Sequence, residues 1–117
     1  VLSFHDFQST PTAGELFAKF RHAQDLGGDA AKVAVMPATP EDVLTLLAAT
    51  QKASRELGIP LISISMGAHG ALSRVAGWMF GSSVTFAAGQ GVSAPGQVPV
   101  EDLRAVLAVL QGALASK

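Results

Sequence analysis

The chain has no cysteine. That removes disulfides, thiolate metal sites and a cysteine nucleophile together, and it suits a cytoplasmic protein. Charge is scarce: only 15% of the 117 residues are Asp, Glu, Lys or Arg, and the formal balance is -1. No basic run occurs anywhere in the sequence, which argues against nucleic acid and against an anionic membrane surface as partners. No apolar run approaches the length of a membrane span, and nothing resembles a signal peptide. An opening methionine is lacking too. The chain starts on Val1-Leu2-Ser3-Phe4, already strand-like, and domains seldom start inside a core strand, so we expect a further portion N-terminal to it.

What is present is apolar and periodic. Hydrophobic residues make up 49% of the chain, enough for one globular domain of ordinary size. Val1 to Phe7 reads as a strand. Ser9-Thr10-Pro11 makes a loop, and Thr12 with Glu15 gives a capping-box pattern for a helix over about 13–26 with Leu16, Phe20 and Ala23 on one face. Gly27-Gly28 ends it. Ala31 to Pro37 is a second strand, and Thr39-Pro40-Glu41-Asp42 starts a helix with a cap, a proline and two acids near the positive end of the dipole. Val43, Leu46, Leu47 and Leu57 form its apolar stripe, and Gly58 with Pro60 stops it. Leu61 to Met66 is a third strand. A shorter helix carrying Leu72, Val75, Ala76 and Met79 then ends at Gly81, and Ser83 to Ala88 is a fourth strand. After the glycine- and proline-bearing loop 89–96, a last helix over about 100–115 turns Leu103, Val106, Leu107, Leu110 and Leu114 inward.

Strand and helix thus alternate four times, which predicts a parallel sheet with right-handed crossovers. Four units are half of what an eight-stranded barrel needs and leave two bare edges. The expected fold is α/β, with the chain supplying the last four βα units of a (β/α)8 TIM barrel.

Chemistry in such folds collects at the C-terminal ends of the strands. The second strand carries a lysine among apolar residues: alternation puts Lys32, Ala34 and Met36 on one face and Ala31, Val33 and Val35 on the other. An ammonium there must reach water, pair with an anion or lose its proton, and a neutral amine is the form that attacks a carbonyl. A long stem that bends to the surface is the bland alternative. Around it stand His5 after the first strand, Met66 and Arg74 after the third, and Ser93 and Gln97 after the fourth. A base, an amine, a guanidinium and two hydrogen-bonding groups suit a carbonyl substrate that also bears a carboxylate. Each has a structural alternative: a strand-end histidine on a backbone carbonyl, a solvated helix arginine, plain loop hydroxyl and amide groups. Asp6 has the choice of capping its loop or pairing with Thr10 or Lys19. His22 and His69 are expected at the surface, and Met36, Met66 and Met79 in the core. Gly67-Ala68-His69-Gly70 is a weak phosphate-loop candidate, with neither the longer glycine pattern nor a lysine.

Taken in order, His5-Asp6-Phe7, Lys32-Val33-Ala34-Val35-Met36-Pro37, Ser65-Met66-Gly67 with Gly70 and Ser73-Arg74, Phe80-Gly81-Ser82 with Thr85-Phe86, and Ser93-Ala94-Pro95-Gly96-Gln97 resemble type I 3-dehydroquinate dehydratase over essentially the whole chain. The resemblance implies a (β/α)8 barrel, commonly dimeric, that dehydrates 3-dehydroquinate to 3-dehydroshikimate in the shikimate pathway. The reaction is a syn elimination through a lysine imine, with no cofactor and no metal. It implies Lys32 as the imine lysine, His5 as general acid/base, and Arg74 as a bidentate partner of the substrate carboxylate. Ser93 and Gln97 would sit on a closing loop, and Phe7, Met66, Phe86 and Ala94 would form apolar walls. Ile64, Trp78 and Pro99 depart from the commonest family residues at tolerable positions. The family's glutamate partner of the histidine, and its further arginine and glutamate site residues, belong to a half that this chain does not contain.

Two readings follow. In one, the chain is the C-terminal half of an active dehydratase, acting as a homodimer or paired with its N-terminal half. In the other, it is a catalytically incomplete half barrel whose exposed inner face, with Ile64, Val84 and Phe86, drives association. Another Schiff-base lyase of the aldolase kind is a more distant third.

Overall fold

In a computed structural model, which describes residues 1–83 and 98–115, the chain folds as α/β. Its strands are β1 (Leu2–Asp6), β2 (Ala31–Val35) and β3 (Leu61–Ser65); its helices are α1 (Ala13–Asp25), α2 (Pro40–Glu56), α3 (Ala71–Ala76) and α4 (Val100–Ala115). Among the described residues the sheet is parallel in the order β1-β2-β3. Next to β3, Ser82 bridges in parallel to Leu61 and the Ser83 N–H donates to the Leu61 carbonyl at 2.6 Å. The expected fourth strand over 83–88, with Phe86, otherwise lies outside the described residues, as do Ser93, Ala94 and Gln97.

Both crossover helices cover the same sheet face. Leu16, Phe20 and Ala23 of α1 and Leu46, Ala49 and Ala53 of α2 close on Ala31, Val33 and Val35 of β2 and Leu61 of β3. Small and branched residues on the sheet let the larger helix side chains approach, and Phe20, Leu16 and Leu46 are fully buried. A side chain of this size contributes roughly 1.5–3 kcal/mol on burial. Beneath α2 the polar groups are paired: the Thr50 hydroxyl donates to the Leu46 carbonyl at 2.8 Å, which leaves the Ser63 hydroxyl to donate to Thr50 Oγ1 at 2.6 Å.

Helix entry follows the expected residues by two routes. Thr12 caps α1, its Oγ1 accepting from the Glu15 N–H at 3.2 Å. Thr39 occupies the cap position of α2 but makes no side-chain cap bond; Asp42 reaches back instead and accepts from the Ala38 N–H at 2.8 Å. Asp6 caps the loop after β1, accepting from the Gln8 and Ser9 N–H groups at 2.9 and 3.0 Å.

Three expected helix faces differ. Leu57 ends α2 in an extended conformation instead of continuing its stripe. The third helix is broken into 3-10 turns (Ala68–Gly70 and Gly77–Phe80) on either side of a six-residue α3. That break rotates the surface: Ser73, Arg74 and Ala76 are buried, while Leu72 and Met79 are exposed, so Met79 is not a core residue. On α4 only Leu103 is buried, Leu107 and Leu110 are half-buried, and Val106 and Leu114 lie exposed. The positive φ of Gly81 (108°) ends the Gly77–Phe80 turn.

Two outcomes test this account. Phe20→Ala empties the centre of the helix-side core and should cost about 3–5 kcal/mol in urea unfolding. The Asp6 carboxyl is held below its ordinary value by the Gln8 N–H first and then by the Ser9 N–H. Its contribution is therefore fully present above the unfolded value of about 3.9 and is lost as the pH falls through the lower folded value. An NMR titration should find the Asp6 midpoint below that of the same carboxyl in urea.

Candidate active site

The register of the sheet decides which side chains meet. Ser3 pairs with Lys32 and His5 with Ala34 across β1 and β2; Lys32 pairs with Ile62 and Ala34 with Ile64 across β2 and β3. Paired residues of a parallel ladder share a face. His5 and Lys32 therefore stand together on the face opposite the helix-packed core, on adjacent strands and two residues apart in depth. Their Cα atoms are on the order of 8 Å apart, from the strand spacing and the rise per residue.

This face is layered. Lys32 lies deepest, level with Ser3 and Ile62; His5 is one layer nearer the C-terminal ends, level with Ala34 and Ile64. Ala34, Ile62 and Ile64 pack together with Met66 beside them, and Lys32, on the same face, is half-buried. Phe7 continues the alternation from His5, and the two rings stack with centroids 5.7 Å apart and planes 2° from parallel. Phe7 is 66% exposed on its outer side. None of the paired positions on this face carries a carboxylate. Asp6 belongs to the opposite face and uses its oxygens on Gln8 and Ser9.

The rim is tied together through the backbone. Thr10 Oγ1 donates to the Met36 carbonyl at 2.9 Å, the Met36 N–H donates to the Ser9 carbonyl at 3.3 Å, and the Met66 N–H donates to the Val35 carbonyl at 2.8 Å. The loop after β1 is thereby fastened to the end of β2, and the end of β2 to the end of β3. Gly67 turns the chain away from β3 at a φ of 73°, where a side chain is strained.

Arg74 follows that turn on α3 and is only 8% exposed. Burial pushes its pKa below the ordinary arginine value, yet a guanidinium stays protonated in proteins. What α3 holds at the C-terminal end of β3 is a desolvated cation with a planar fork of donors, the arrangement that recognises a carboxylate. His22 and His69 are exposed, as expected for surface histidines.

The structure thus brings His5, Lys32, Phe7 and Met66 to one sheet face and buries Arg74 on α3, beside the C-terminal end of the third strand. Sequence reasoning missed the ties that hold them, Thr10 to Met36 and Ser73 to Ser65. Each is a short hydroxyl residue beside a loop, and only the register shows what it reaches.

A family profile described as Type I 3-dehydroquinase matches residues 1–113. The 3-dehydroquinate dehydratase of Albidiferax ferrireducens is 61% identical over 97% of this chain and 43% of its own length. The crystal structure of 3-dehydroquinate dehydratase from Geobacillus kaustophilus superposes with a TM-score of 0.90 at 57% identity, over 94% of this chain and 43% of that one. That of the type I enzyme from Clostridium difficile, solved with covalent modified comenic acid, also gives 0.90, at 42% identity over 95% of this chain and 44% of the other. The chain therefore spans less than half the length of these relatives. With its profile match and its backbone matching theirs, it belongs to the type I 3-dehydroquinase family.

Proposed function

We propose that this chain is the C-terminal half of a (β/α)8 barrel that dehydrates 3-dehydroquinate to 3-dehydroshikimate, with Lys32 as the imine-forming residue. The observation that carries the proposal is the shared sheet face of Lys32 and His5, on adjacent strands and away from the helices. Family membership names the substrate. A consecutive strand order with both crossover helices on one side is what an arc of a barrel requires.

The steps follow from the layering. The neutral Lys32 amine adds to the substrate ketone, and the resulting carbinolamine loses water to give a protonated imine. His5, one layer above, is placed to give and take protons in that step and to remove the proton from the carbon next to the imine. The imine nitrogen takes up the electron pair as an enamine. The enamine returns it to expel hydroxide, protonated to water, from the next carbon, and water then hydrolyses the imine to release product and Lys32. One water enters the imine cycle for each one that leaves it, so the net loss is the single water of the dehydration. Arg74 binds the substrate carboxylate as a bidentate partner. Ser93 and Gln97 close over it as hydrogen-bonding groups, and Phe7, Met66, Phe86 and Ala94 wall the ring. The other half of the barrel, joined to this one in a cytoplasmic and dimeric enzyme, supplies the acidic partner of His5.

The test is to mix the protein with 3-dehydroquinate, reduce with borohydride, and map the adduct by mass. A substrate-derived adduct confined to the Lys32 peptide, and absent from Lys32→Met, is the expected outcome. Adduct spread over other lysines overturns the assignment of Lys32. No adduct on folded protein leaves the chain as an assembly half without catalysis of its own. His5→Ala should slow the appearance of the Lys32 adduct by about 10²-fold, with the final extent unchanged.

A further inference from the structure

The hydroxyl of Ser73 sits at a junction that the reaction does not use directly. It accepts from the Ser65 N–H at 3.0 Å and lies 2.8 Å from the Gly70 carbonyl and 3.4 Å from the Ser65 carbonyl. The β3 N–H groups alternate between its two sides; that of Met66 points to β2, so that of Ser65 points to the other edge. There a side chain on α3 takes it. Ser73 is 3% exposed, and its chain neighbour is the buried Arg74. Gly70 completes the joint: a Cβ built on it would run into the Ser65 carbonyl, so the turn lies directly against the strand end.

We propose that Ser73 is the positioning residue for Arg74, fixing the angle at which the guanidinium meets a substrate carboxylate. This rests on the reading of Arg74 as the carboxylate partner. A helix of six residues, flanked by 3-10 turns, has little stiffness of its own. The hydroxyl couples it to the sheet by the bond accepted from the Ser65 N–H and to the preceding turn by the bond donated to the Gly70 carbonyl, one residue from the fork that must align. Bidentate recognition depends on that alignment more than on charge.

The readout is the 3-dehydroquinate concentration that half-saturates borohydride trapping at Lys32, measured on the full chain and normalised to folded protein. Ser73→Ala should raise it about tenfold with the plateau unchanged, and Ser73→Thr, which keeps the hydroxyl, should restore it. A purely structural role lowers the folded fraction and leaves half-saturation where it was. Arg74→Ala should raise half-saturation at least as far, and the double variant should be no worse than Arg74→Ala alone, because both changes remove one interaction. Should Ser73→Ala fail to fold, Ser73→Cys, close in volume and a weak hydrogen bonder, carries the same comparison. Unchanged half-saturation in the Ser73 variants beside a raised value in Arg74→Ala overturns the proposal, as do effects that multiply in the double variant. Unchanged half-saturation in Arg74→Ala overturns the carboxylate reading itself.

Discussion

The in-register parallel pairing of β1 with β2 is the constraint on which the site depends. Ser3 lies opposite Lys32 and His5 opposite Ala34. Side chains alternate with period two, so a slip of one residue in either strand would send His5 or Lys32 to the helix side. The core forbids that slip. Leu16, Phe20, Leu46 and Ala53 are closed around Ala31, Val33 and Val35 with no exposed surface or almost none. Putting Lys32 among them would desolvate an ammonium at a cost of several kcal/mol while exposing valines worth roughly 1.5–3 kcal/mol each. The apolar face of β2 thus decides where its one cation stands.

Depth then separates the roles. Lys32 shares its sheet face with Ala34, Ile62 and Ile64, one layer below His5. His5 stands a layer higher with its ring held against Phe7. In the mechanism proposed above, a proton carrier one layer above the nucleophile serves both the carbinolamine oxygen and the carbon beside the imine. Arg74 stands on a different element, α3, so the proposal assigns substrate anchoring and bond making to separate parts of the fold.

The strands, α1 and α2 were legible because they obey local rules. Period two reads off Ala31 to Val35, and Thr12 and Glu15 mark a helix start at which the Glu15 N–H donates to the Thr12 hydroxyl as the pattern predicts. The third helix was not legible. Leu72, Val75, Ala76 and Met79 satisfy helical spacing, but the turn through Gly67 and Gly70 is set by contact with Ser65, and it rotates the serine and arginine inward. That choice is tertiary: a bond to a strand edge eight residues earlier outweighs the burial of a leucine. Lys32, His5 and Arg74 could be named as candidates from chemistry and family pattern, whereas the shared face of Lys32 and His5 needed the register, and the burial of Arg74 needed the turn before α3.

The edge of β3 away from β2 gives the last link between fold and site. Its three outward positions are satisfied in three ways: the Leu61 carbonyl by the Ser83 N–H, the Ser63 N–H by the Ser82 hydroxyl at 3.0 Å, and the Ser65 N–H by the Ser73 hydroxyl. Among the described residues this edge is served by one backbone N–H and two serine hydroxyls. At Ser65 a side chain accepts from the strand and ties in the element to which it belongs. At Ser65 that element is α3. The hydroxyl that takes the Ser65 N–H thus also fixes the helix that carries Arg74 to the C-terminal end of β3, which is why, on the proposal above, a change of one hydroxyl there should be felt in ligand affinity before it is felt in the fold.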